Sequence, residues 1–213
     1  HDDDKSALQI FNLTFKSHGG EHISLLNDVN MGVDGDWHYL ITKIQPEVTD
    51  EKYRQQSQER ILLKPRTYAV TYTGEAGTKD VYRTQQTINV AYNGKLLNDE
   101  YKQTATALTA DAFYLFALGP LALFDRVSEW QRLKDGKSGD KSYYRINGKI
   151  KPGIGLSETD FITLWVNKQN HLTFRIHITL EGFEATKGAH VDTTFLSYTQ
   201  RGHFTLPTHF FER

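Results

Sequence analysis

Residues 171–182, HLTFRIHITLEG, sort their side chains by parity, with Leu172, Phe174, Ile176, Ile178 and Leu180 on even positions and His171, Thr173, Arg175, His177 and Thr179 on odd ones. Successive strand side chains point to opposite faces, so the pattern predicts an antiparallel strand with one apolar face and one wet face. Covering five such side chains is worth roughly 7 to 15 kcal/mol, at about 1.5 to 3 each. Either the chain's own core or a hydrophobic guest can supply that cover, and periodicity alone does not distinguish them.

The rest of the chain is dominated by strand signals. SALQIFNLTFKSHGG predicts a short amphipathic helix capped by Ser6 and stopped at Gly19-Gly20. Residues 22–31 and 37–45 flank a GVDGD turn and predict a hairpin, and 50–58 has a weakly helical composition. ERILLK and TYAVTYT are strand-like, as is TINVAYNG, whose Asn93-Gly94 ending is a hairpin turn signal. Residues 105–118 are apolar nearly all round, which predicts a helix buried on most sides. Strands follow over 128–133, 142–149, 160–167, 171–182 and 189–199, with a short edge after Leu206-Pro207. About ten strands in hairpin order with two helices predict an α+β fold, one large curved antiparallel sheet with helices laid on a single face. A sheet of that size tends to curl or close.

A chain of 213 residues suits one domain, read here as 6–213, with residues 1–5 as a tag or tail. The 25 basic and 26 acidic residues form no block beyond the initial DDD, so nucleic acid is not an expected partner. The absence of cysteine excludes disulfides, thiolate metal sites and a cysteine nucleophile. No apolar signal region follows HDDDK, so any targeting segment is expected to lie outside this chain. The run 107–124 is broken by Asp111 and Gly119-Pro120 and is not expected to span a membrane. The Gly119-Pro120 pair is a helix stop that could also serve as a hinge.

Enzyme motifs are scarce. There is no GxSxG elbow, HExxH, P-loop or GxGxxG after a strand, so neither catalysis nor a cofactor is expected. His190 and Asp192 share a strand face beside His177, a conceivable two-His, one-carboxylate set, although histidines are common on the polar face of a half-buried sheet. No metal is expected there. Glu158 and Asp160 read as loop caps, and Glu59 with Arg60 as surface or rim. Asn12-Leu13-Thr14 matches a glycosylation acceptor inside the expected first helix.

ERILLKPRTYAV followed by NVAYNGK, then DFITLWVNKQNHLTFRIHITLEG, then GHFTLPTHFFER, resembles the LolA-type periplasmic lipoprotein carriers and their relatives over about residues 6–213. The resemblance implies an unclosed half β-barrel whose apolar concave face, covered by helices, holds acyl chains or other lipids for transfer or sensing. It also implies the bacterial periplasm and envelope proteins as donor or acceptor. One departure is Lys64, where those carriers have an arginine before the proline, and the two side chains differ in bonding geometry. The 12 Phe, 11 Tyr and 3 Trp suit the wall of an apolar pocket with a few polar handles.

The expectation is a non-enzymatic carrier for a lipid or other hydrophobic small molecule. Leu172, Phe174, Ile176 and Ile178 would form its wall, Phe113, Leu115 and Phe116 its covering helix, and Lys64 a polar contact near the mouth. The alternative is a sensor or protein-interaction module of the same architecture whose interior is packed by its own side chains. A third reading is an envelope hydrolase or isomerase built on His177, His190 and Asp192.

Overall fold

The computed structural model describes residues 4–213. The first three positions of the expected tail lie outside the described residues; within the described part, Lys5 Nζ reaches the Tyr144 hydroxyl at 3.4 Å. Strands β1 (Asp28–Asp34), β2 (Gln56–Leu62), β3 (Thr67–Gly74), β4 (Gly77–Thr84), β5 (Ile88–Tyr92) and β6 (Lys95–Leu96) form one antiparallel sheet in chain order. Strands β7 (Val127–Ser138), β8 (Lys141–Ile150), β9 (Asp160–Asn167), β10 (Thr173–Thr179), β11 (His190–Arg201) and β12 (Phe204–Glu212) form a second, ordered β12-β11-β10-β9-β8-β7. The architecture is α+β, an unclosed barrel, and the single sheet expected from hairpin order is divided in two.

The division falls where helix α4 (Glu100–Leu118) leaves β6 and runs through the interior. Asp99 caps it by accepting from the Lys102 N–H, and from Ala105 onward nearly every residue is buried. Alanines at 105, 107, 110, 112 and 117 let backbone approach from several sides, and α4 packs on β3, β4 and β5 of one sheet and β12 of the other. By length and composition the segment Glu100–Leu123 could cross a bilayer, but its most apolar stretch is 94 % buried within the protein. Asp111, the break in that apolar run, is half of a buried ion pair: Arg83 Nε and Nη2 donate to its two oxygens at 3.1 and 2.9 Å.

Helix α1 (Ala7–Ser17) begins with the capping box of Ser6 and Gln9 and packs on β7 and β8, with Phe11 stacked on Trp130 at 4.9 Å. It stops at Gly19, where φ is +94° and a Cβ would lie 2.2 Å from the His203 carbonyl oxygen. Thr14 of the Asn-Leu-Thr triplet is fully buried on this helix.

Three expectations are corrected. Residues 37–45 are not a strand; they form helix α2 (Tyr39–Ile44) and the entry to α3 (Pro46–Thr49), since β1 is an edge strand whose one neighbour is β2 and Pro46 opens a new helical turn. The final edge is a nine-residue strand that includes Pro207, tolerated because β12 is an outer strand. Within the opening strand, the pairing to β9 runs Thr173↔Val166 and then Arg175↔Trp165, a bulge at Phe174. The bulge shifts parity: Thr173 is fully buried, while Phe174 stacks on Tyr143 at 4.5 Å, on the face away from the core.

Candidate functional site

The strand alternation of β2 places Ser57, Glu59 and Ile61 inward, opposite Tyr72, Val70 and Tyr68 of β3. An inward serine and glutamate are unusual in a core face and need partners. They line a pocket of about 720 Å³ that lies between β1 and β2 on one side and β12 on the other, roofed by residues 35–38 and closed at depth by Tyr72 and Phe113. Glu59 is thus buried, contrary to the expected surface placement, whereas Arg60 points outward to Asp28 at 2.8 Å.

Arg54 is the most enclosed cation of the pocket. Its guanidinium carbon lies 4.7 Å from the Trp37 ring centre and 4.9 Å from those of Tyr72 and Phe113, an aromatic cage. Nη1 donates to the carbonyls of Val48 at 2.8 Å and Thr49 at 3.3 Å, while Nε is buried without a partner. Trp37 Nε1 donates to the Arg54 carbonyl at 3.2 Å, which ties the roof to the floor.

Of the carboxyls lining this space, those of Glu59 and Glu212 are withdrawn from solvent, whereas Asp34 and Asp36 are exposed. Burial raises the pKa of Glu59, against the lowering effect of the Ser57 hydroxyl that donates to it at 2.6 Å and of the Arg54 charge. Burial also pushes Glu212 up to about 7, with Arg54 pulling the other way; its Oε1 is occluded and unpartnered although the residue as a whole is half-buried. Aromatic walls with a few hydrogen-bonding groups at one end make a site suited to an amphiphile.

The mouth is bordered by α2. Tyr39, Leu40, Ile41 and Ile44 are all at least 41 % exposed, and Ile41 lines the pocket. The segment carrying α2 and α3 is fastened to the first sheet by Asp50, whose Oδ2 accepts from Lys79 Nζ and the Tyr92 hydroxyl, each at 2.6 Å.

Of the residues expected from sequence to meet a ligand, Phe113 lines this pocket. Leu115, Phe116, Ile176 and Ile178 are at most 1 % exposed and do not line it. Leu172 is half-buried in the turn before β10, Phe174 is on the opposite face, and Lys64 is exposed in the β2–β3 turn, at the far end of β2 from Gln55–Ser57. His177 and Asp192 do meet, Nδ1 to Oδ1 at 2.9 Å, and the His190 ring lies tilted at 34° to that of His177 with centres 4.6 Å apart. Among the described residues no group of three His, Cys, Asp or Glu side chains is placed to hold a metal. Asp160 caps its loop, accepting the N–H groups of Ile154 and Glu181. Sequence reasoning missed Arg54, Trp37, Tyr72 and Glu212; the one signal for the site was polar Ser57 and Glu59 on the same strand parity as Ile61.

No family model matches this chain, and no characterised protein matches it by sequence. Among solved structures, a LolA superfamily protein from Nitrosomonas europaea aligns over 98 % of this chain and 85 % of its own, with a TM-score of 0.54 and 12 % identity. The fold is LolA-like. A DUF1329 family protein from Desulfovibrio piger aligns over 96 % of this chain and 84 % of its own at 9 % identity and a TM-score of 0.48. The Mycobacterium tuberculosis lipoprotein LppX aligns over 83 % and 88 %, at 14 % identity and a TM-score of 0.32. In this LolA-like frame the pocket occupies the space between the edge strands β1 and β12, and the buried helix α4 supplies one wall.

Proposed function

We propose that this protein is a non-enzymatic carrier of the bacterial cell envelope, working in the periplasm, that shields a lipid or other hydrophobic ligand by burial. The observation that carries this reading is the pocket of about 720 Å³ beside an exposed apolar helix. Its volume falls in the usual range for ligand sites, and a contiguous apolar patch at its rim suits hand-over to an envelope donor, an acceptor or a bilayer surface. The LolA-like fold agrees with carriage. Phe113 lies in the proposed ligand wall; Leu115, Phe116, Ile176 and Ile178 would meet a longer acyl chain only if the segments covering them moved. The test is native mass spectrometry and lipid extraction of the purified protein, followed by titration with a fluorescent fatty-acid probe. A co-purifying lipid or saturable probe binding lost in Phe113→Asp supports carriage; an empty protein that ignores the probe overturns it.

A second reading, a sensor or interaction module of the same fold, is favoured by the solid packing around Leu115, Phe116, Ile176 and Ile178. It keeps α2 as the contact surface and predicts no ligand in the same experiment.

A further inference from the structure

Two buried polar atoms in the pocket lack a partner: Nε of Arg54, a donor on a side chain 6 % exposed, and Oε1 of Glu212, an acceptor. Folded proteins leave few such groups unsatisfied, and those that remain call for a partner that the chain does not supply. We infer that the ligand's head is an uncharged hydroxyl, held between Arg54 and Glu212, with its apolar body against Trp37, Tyr72 and Phe113. This rests on the carrier reading and specifies its ligand.

A hydroxyl both donates and accepts, so one group can accept a hydrogen bond from Arg54 Nε and donate one to Glu212 Oε1. An ester carbonyl only accepts and leaves Glu212 unpaired. An ionised carboxylate also only accepts, and it adds a negative charge to a pocket already lined by Asp34, Asp36, Glu59 and Glu212 against Arg54 and Arg213. A quaternary ammonium offers neither hydrogen bond and brings a cation beside Arg54.

The experiment is displacement of a bound fluorescent probe at pH 7.5 by a series with one chain length: dodecanol, methyl laurate, laurate and dodecyltrimethylammonium. Dodecanol is expected to displace the probe at a concentration about tenfold lower than the other three, the size of effect one charge-assisted hydrogen bond supplies. In Glu212→Leu, a half-buried position on an edge strand, this advantage is expected to fall below about threefold while methyl laurate binds as before. Arg54→Met should do the same if it folds; the wild-type series decides the matter without it. Equal or tighter binding of laurate, the ester or the ammonium overturns the hydroxyl head and leaves carriage standing. Displacement by none of the four, with no probe binding, overturns carriage itself.

Discussion

The backbone N–H of Thr173 donates to Nε2 of His18 at 3.0 Å, joining residues 155 positions apart. The other ring nitrogen, Nδ1, lies 2.7 Å from the Thr205 carbonyl and must be the protonated one, so the imidazole is neutral with both nitrogens used. Burial pushes the His18 pKa down to about 4, the Thr205 carbonyl opposing it. An unfolded histidine titrates near 6.5. Between these values the unfolded chain binds the proton and the folded one does not, so stability rises with pH across the window. The contribution is fully present above about pH 6.5 and is lost as pH falls to about 4, a span worth about 3 kcal/mol. Urea denaturation of the wild type and His18→Gln checks it: the wild-type advantage at pH 7 should shrink steadily toward pH 4, and a constant difference would disprove the linkage.

That same contact explains why the opening strand was only partly legible. Parity placed Ile176 and Ile178 in the core, where both are fully buried. It misplaced Phe174, because Thr173 is drawn inward by His18, by the Thr14 hydroxyl at 2.8 Å and by the Tyr198 hydroxyl on its carbonyl. Those three partners come from α1, from the residue that follows it and from β11, so the bulge is decided by distant residues that no local pattern exposes. Helix α4 was legible because its apolar character extends all round and only burial can satisfy it. The pocket was not, since Arg54, Tyr72 and Glu212 come from separate segments and meet only when the sheets face one another. The polar residues on the inward parity of β2 were the available clue, and Glu59 next to an exposed Arg60 disguised it.

The Arg83–Asp111 pair supplies a second prediction. Both side chains are 5 % exposed, Arg83 Nη2 also donates to the Gly155 carbonyl at 3.0 Å, and Asp111 accepts the Gly155 N–H at 2.9 Å. Gly155 itself sits at φ +67°, where a Cβ would lie 3.1 Å from the Leu108 backbone. Asp111→Ala leaves a buried guanidinium without its carboxylate and should cost about 3 to 5 kcal/mol. The double variant Arg83→Met with Asp111→Leu should recover much of that loss, since apolar replacements of buried pairs are often tolerated. Denaturant midpoints of the two variants measure the difference.

Asp50 is the fastening point of the pocket roof. Lys79 is 2 % exposed, and burial pushes its amine down to about 8 despite the Asp50 carboxylate beside it. Asp50→Ala leaves that amine buried and alone and releases Tyr92 as well. The expected result is a lower melting temperature and faster proteolytic cleavage within 35–55, while the second sheet keeps its hydrogen-exchange protection. Cleavage at the wild-type rate would show that the roof is held by other contacts.

Helix α2 separates stability from function. Tyr39 and Ile44 are 72 % and 58 % exposed, so Tyr39→Ser with Ile44→Ser should change folding free energy by no more than about 0.5 kcal/mol per site. Neither side chain lines the pocket, so probe affinity should also be unchanged. What should fall is the rate at which bound probe leaves for acceptor vesicles, because a helix that meets an apolar surface must first offer apolar area to it. Stopped-flow transfer to phosphatidylglycerol vesicles reads this directly. A several-fold slower transfer at unchanged affinity assigns α2 to hand-over; an unchanged rate that also ignores vesicle concentration means the ligand escapes through solvent and the exposed row serves some other contact.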